Sequence, residues 1–212
     1  MDHYDPKTVF SSIDHHGRYA FGNQPIIAQW NLARLADALL PLFDENENKA
    51  IEVGEEIIQS FNEKYEKKFH EMMKRKLGFI TDEPEDGVIV KELLDTMEKN
   101  KLDYTNTFRD LMNENISNEN LKDFYSKWII RIDKQNRDKQ EILNLMRKNN
   151  PVVIPRNHKV EESLKEAHKG NLLSLNNLLN ALKDPYTERG ELMLYQQPAP
   201  ENEKKYKTFC GT

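Results

Sequence analysis

At 212 residues, with 37% hydrophobic and 32% charged side chains and a mean hydropathy of −0.84, the chain has the composition of long solvated helices around a modest core. The net charge of −5 and pI near 5.8 weigh against a nucleic-acid partner or an anionic membrane surface, and no apolar run approaches the ~20 residues that a membrane helix needs. A lone Cys210 cannot form an internal disulfide, and no basic region followed by an apolar stretch marks an export signal, so the expected location is cytoplasmic.

Residues 1–23 show no helical period and hold Tyr4, Phe10, Tyr19 and Phe21 beside Gly17 and Gly22. That mixture predicts an ordered loop packed on something, and ordered loops on rigid scaffolds are where binding groups concentrate. Gln24-Pro25 then opens a helix, with proline at a first-turn position where its missing N–H costs nothing. Over about 25–43, Ile26, Ile27, Trp30, Leu35, Leu39 and Leu42 recur at helical spacing. The polar run DENENK at 44–49 interrupts the pattern. A second helix, about 50–77, sets Ile57, Ile58, Phe61, Tyr65, Phe69, Met72 and Met73 on one stripe, with Gly78 as its stop. The Lys/Glu-rich stripe of 62–76 reads as a solvated face laced by i,i+4 pairs.

Val88 to Met97 predicts a third helix and Tyr104 to Met112 a fourth. Ser117 or Asn118 caps a fifth that contains Leu121, Phe124, Trp128 and Ile132. A sixth spans 137–149 and ends at Asn149-Asn150-Pro151. The stretch PVVIPRN is extended, because prolines and β-branched residues oppose helix. Helices over about 158–168, with Gly170 beyond as C-cap, and 174–183 follow, and the last 27 residues read as an irregular tail. No repeat and no strand pairing is visible, so the fold class is mainly α.

Asp14-His15-His16, with His3 nearby, invites a metal reading, since imidazole and carboxylate are common ligands. No spaced partner of the HExxH or CxxC kind supports it, and no metal site is assigned. His70, His158 and His168 read as surface or structural, and Ser11 and Ser12 as ordinary loop hydroxyls. In Arg156-Asn157-His158, Asn157 is expected to cap a helix and Arg156 to bridge to a carboxylate.

Three ordered blocks carry a family resemblance. The first is Tyr4-Asp5-Pro6, Phe10-Ser11-Ser12-Ile13-Asp14, Gly17-Arg18-Tyr19, Asn23-Gln24-Pro25 and Trp30-Asn31-Leu32-Ala33-Arg34-Leu35-Ala36. The second is Asn150-Pro151, Pro155-Arg156-Asn157-His158, Val160-Glu161-Glu162, Ala167, Gly170, Leu178-Leu179, Leu182 and Pro185-Tyr186, and the third is Phe209-Cys210-Gly211-Thr212. Together they resemble the selenoprotein O (SelO/YdiU) family, protein adenylyltransferases on a kinase-like fold.

The resemblance implies the second half of a protein-kinase-like C-lobe, beginning at the activation segment, plus a helical C-terminal extension. Residues 1–43 would be the activation-segment-like loop and first C-lobe helix, 44–149 a variable helical region, and 150–212 the extension and tail. It also implies transfer of AMP from ATP to Ser, Thr or Tyr hydroxyls of protein substrates, with ATP and Mg or Mn as cofactors of the full-length member. Such chemistry needs a Gly-rich loop, a Lys with a Glu partner, a catalytic-loop Asp and Asn, and a metal-binding Asp in a DFG-like motif.

This sequence contains no G-x-G, no GxxxxGK[ST] and no HRD-like or DFG-like string. The expectation is therefore that Met1 is an internal methionine of a longer protein, whose N-terminal catalytic half is the missing partner. The isolated chain is expected to bind neither ATP nor metal and to be inactive. By resemblance, Asp14, Arg18, Tyr19 and Asn23 position the activation segment; the residues themselves favour Arg18 paired with Asp14, holding the loop. An Arg there can also orient a carboxylate or phosphate. Cys210 sits where some relatives carry selenocysteine or cysteine, which leaves mixed-disulfide chemistry or an inert tail thiol. The alternative to the enzyme reading is a stand-alone helical protein-interaction module derived from that family.

Overall fold

The computed structural model describes residues 2–115 and 117–200, so Cys210 lies outside the described residues. Their regular structure is helical, as the periodicity predicts, apart from one isolated antiparallel bridge between His3 and Asp103. The helices are α1 (Gln24–Phe43), α2 (Glu47–Lys76), α3 (Asp86–Asn100), α4 (Tyr104–Met112), α5 (Lys122–Lys134), α6 (Lys139–Asn149), α7 (Asn157–His168), α8 (Leu173–Leu182) and α9 (Met193–Gln196). None of them is long and apolar enough to cross a membrane. The described residues divide into two compact units, 6–71 and a second made of 2–5 with 72–200.

In the unit of residues 6–71, α1 opens at Gln24 with Pro25 in its first turn, yet none of its 20 residues is buried. The flank that meets α2, with Ile27, Ala33, Ala36, Leu40 and Phe43, is only half-buried. Gln29 Nε2 donates to the Ile58 carbonyl across that seam at 3.0 Å. Helix α2 begins earlier than the periodicity suggests, because the polar run supplies its start: the Asn46 side chain accepts from the Lys49 N–H at 3.2 Å. Further on, the half-buried rings of Phe61, Tyr65 and Phe69 stack in a ladder with centroids 6.2 and 6.1 Å apart.

The second unit holds the core. Met73, on the last turn of α2, and Leu77, just beyond it, are fully buried with Leu93, Met97 and Met146, and Phe108, Leu111, Phe124 and Trp128 complete the cluster. Gly78 stops α2 in the left-handed region at φ +78°, and a Cβ there would meet Ile142 Cγ2 at 2.8 Å. Trp128 Nε1 donates to the Leu77 carbonyl at 2.9 Å, satisfying an acceptor that the helix end leaves open. Asp103 caps α4, Asp138 caps α6, and Asn118 caps the 3-10 turn Glu119–Leu121 that leads into α5. Gly170 follows α7 at φ +85°, and Ser163 Oγ lies 3.2 Å from Ser174 Oγ across α7 and α8. The PVVIP stretch is extended, with the Val152 N–H donating to Pro185 O at 2.7 Å.

Three expectations are corrected. Asn157 is not a cap: it is already helical, and Arg156 stands at the N-cap without a capping bond because its guanidinium turns inward. Part of the tail is ordered helix, where Leu192, 1% exposed, anchors the 3-10 turn Gly190–Leu192 and α9. The stripe of 62–76 is solvated only in its first part. Lys76 is 7% exposed, since the last turn of α2 faces the rings of Tyr104 and Phe108.

Candidate functional site

The loop before α1 is built around Asp14. Its Oδ1 accepts from the Arg18 N–H and its Oδ2 from the Tyr19 N–H, both at 2.8 Å. Gly17 adopts φ +65°, and its carbonyl accepts from Asn23 Nδ2 at 2.8 Å. Asp14 and Asn23 thus stitch the loop from both ends over the buried Ala20. The structure brings all four predicted residues together, in a different arrangement from the one predicted. The Asp14 carboxylate serves two backbone amides, whereas the Arg18 guanidinium lies over the Trp30 ring at 4.7 Å. Arg34 approaches the same indole at 5.8 Å, and Arg18 also lies 5.8 Å from the Tyr19 ring. His3, His15 and His16 are exposed, and among the described residues no three potential ligands gather to hold a metal. Ser11 and Ser12 are half-buried.

A second cluster centres on Arg156, which bridges to carboxylates as expected. Its Nη1 donates to Asp2 Oδ1 at 2.8 Å and Asp103 Oδ2 at 2.7 Å, and its Nη2 to the Gln196 carbonyl at 2.8 Å. Burial pushes the Asp2 carboxyl up, but the Ala199 N–H and Arg156 more than offset it, so the group sits below its ordinary value. Arg156 itself is held above its ordinary value, the two carboxylates outweighing burial.

Sequence reasoning missed a buried ion pair and a buried lysine. Arg131 donates to both Asp86 oxygens at 2.6 and 3.2 Å and to the Thr81 carbonyl at 2.7 Å, while stacking on Phe79 at 4.5 Å. Burial raises the Asp86 carboxyl, yet Arg131 and the Glu83 N–H hold it below the usual range. The partners lie 45 residues apart with no shared motif, so nothing local signals them. Lys76 places its Nζ 4.3 Å from the Phe108 centroid and 3.4 Å from the Asn149 carbonyl, and burial pushes it down to about 8. The Arg156 and Arg131 ion pairs hold segments in place.

The profile of the family described as "Protein adenylyltransferase SelO" matches residues 1–183. The protein nucleotidyltransferase YdiU of Anoxybacillus flavithermus is 46% identical over 215 residues, which cover all of this chain and 45% of that protein. Its namesake from Pelagibacter ubique is 46% identical over 219 residues (all of this chain, 45% of that protein). The one from Clostridium perfringens is 44% identical over 218 residues (all of this chain, 44% of that protein). The relatives that this helical chain matches along its whole length are nucleotidyltransferases. The chain belongs to the SelO family. It spans less than half the length of those relatives.

Proposed function

We propose that these 212 residues form the C-terminal, acceptor-side part of a protein nucleotidyltransferase that moves AMP from ATP to Ser, Thr or Tyr hydroxyls of proteins. In this reading the loop before α1 is the activation segment of a kinase-like C-lobe. The same reading puts the phosphate loop, the lysine and the carboxylates for Mg or Mn outside these 212 residues. The state of α1 carries the proposal: a 20-residue helix with no buried side chain. Its outward stripe includes Leu35 at 54% and Leu42 at 79% exposure, spaced seven residues apart along one face. A stripe of that kind is covered in a complete protein.

The test joins the unmatched portion of the Anoxybacillus flavithermus relative covalently to this chain and follows ATP-dependent AMP labelling of a generic protein acceptor. The fusion labels and the isolated chain does not; labelling by the isolated chain refutes the proposal. The same bare stripe also suits the stand-alone interaction module. Self-association of the isolated chain, or binding of a hydrophobic dye that Leu35→Glu reduces, supports the enzyme reading. A monodisperse, cooperatively melting monomer that binds no dye favours the module.

A further inference from the structure

Arg18, Trp30 and Arg34 form a cationic platform that the stitching of the loop does not use. The Trp30 indole is 49% exposed and has one guanidinium 4.7 Å and another 5.8 Å from its ring; Tyr19, 52% exposed, flanks Arg18. Two like charges on one ring repel each other unless an anion joins them. Arg34 has a counter-charge in Asp37 at 2.9 Å. Among the described residues Arg18 has none, because the nearby Asp14 carboxylate is taken up by the backbone. Over residues 1–43 the sequence carries Lys7, Arg18 and Arg34 against Asp2, Asp5, Asp14 and Asp37, so any pull on an anion comes from the Arg18 guanidinium itself and not from a basic segment.

The platform is also separate from the leucine stripe of α1. At 3.6 residues per turn, Trp30 and Leu35 point about 140° apart, so covering one face leaves the other open. Planar guanidinium groups stacked on an aromatic face keep their N–H edges free for carboxylates.

We propose that Arg18 and Arg34, held on Trp30, bind an acidic segment (consecutive Asp or Glu side chains) of a protein partner. Under the function proposed above, on which this assignment of the partner rests, that partner is the acceptor, anchored near the loop by carboxylates outside its modified hydroxyl. Nucleic acid would be a competing polyanion, but the acidic surface of the rest of the chain disfavours a long phosphate backbone.

The experiment measures fluorescence anisotropy of fluorescein-labelled decaglutamate titrated with the full 212-residue chain at low ionic strength, with decaglutamine as control. No nucleotide is present, so the result is independent of AMP transfer. Decaglutamate binds and decaglutamine does not; Arg18→Gln and, separately, Trp30→Ala each weaken binding about fivefold, the upper end for an exposed charge pair. Both substitutions lie at exposed positions, and unchanged helical circular dichroism verifies folding. Decaglutamate binding equal in wild type and both variants overturns the proposal, as does tighter binding of a labelled ten-nucleotide single strand at the same salt.

Discussion

Replacing Lys76 with methionine should stabilise the protein at neutral pH, and by an amount that shrinks as pH rises. Lys76 closes α2 with 7% of its surface exposed, and among the described residues no carboxylate contacts its Nζ, which faces the Phe108 and Tyr104 rings and the Asn149 carbonyl. Burial lowers its folded pKa from 10.5 to about 8. The unfolded chain therefore binds more protons than the folded one between those values. The charged ammonium is a cost that is full below pH 8 and is relieved as pH climbs towards 10.5. At ~1.4 kcal/mol per unit, the difference in unfolding free energy between Lys76→Met and wild type should narrow by roughly 2–3 kcal/mol from pH 7 to pH 10. Urea denaturation of both proteins at several pH values measures it, and the subtraction cancels the tyrosines that titrate in the same range. A difference that stays flat with pH would refute the reasoning, and would mean that the aromatic rings offset the whole cost of burying the charge.

Gly78→Ala forces a Cβ into the left-handed region and within 2.8 Å of Ile142 Cγ2, so it should cost about 2–4 kcal/mol in a urea melt; a loss under about 0.5 kcal/mol would show that α2 can end otherwise. Arg156→Met strands Asp2 and Asp103 and should cost about 3–5 kcal/mol, with a change below about 1 kcal/mol contradicting the clamp described here. Asp2 and Asp86 titrate below their unfolded value of 3.8, so their contribution is full above it and fades as pH falls through their lower folded values. Acid unfolding monitored by circular dichroism should accordingly move to higher pH in Arg131→Met, and an unmoved midpoint would exclude Asp86 from acid stability.

Local signals served wherever the chain's geometry is local. Pro25 at the opening of α1, Gly78 and Gly170 at positive φ, and the Asn118 cap were all readable, because each solves a problem within four residues of itself. What escaped depends on distant partners. That Arg156 bridges to a carboxylate was readable, but not that its partners are Asp2 and Asp103, 154 and 53 residues away, nor that they turn it inward and leave α7 without a side-chain cap. Lys76 carries the same letters as its solvated neighbours Lys67 and Lys68, and only the rings of α4 distinguish it. The turn at 190–196 is too short to show a period and is fixed by the buried Leu192 side chain together with Gln196, whose carbonyl accepts from Arg156. For the loop, the four residues singled out do lie together, but the hydrogen-bond partners of Asp14 were not visible, since backbone amides leave no trace in the letters.

Asp14 separates two amino acids that turn chemistry usually treats as equivalent. Each of its oxygens receives one of two consecutive amides, so an asparagine would aim its own NH2 at a peptide N–H and give up half of the anchorage. The carboxylate thereby fixes the main chain of residues 18 and 19 while leaving both side chains turned to water. A negative charge spent wholly on the backbone is what keeps the neighbouring guanidinium available to something arriving from outside.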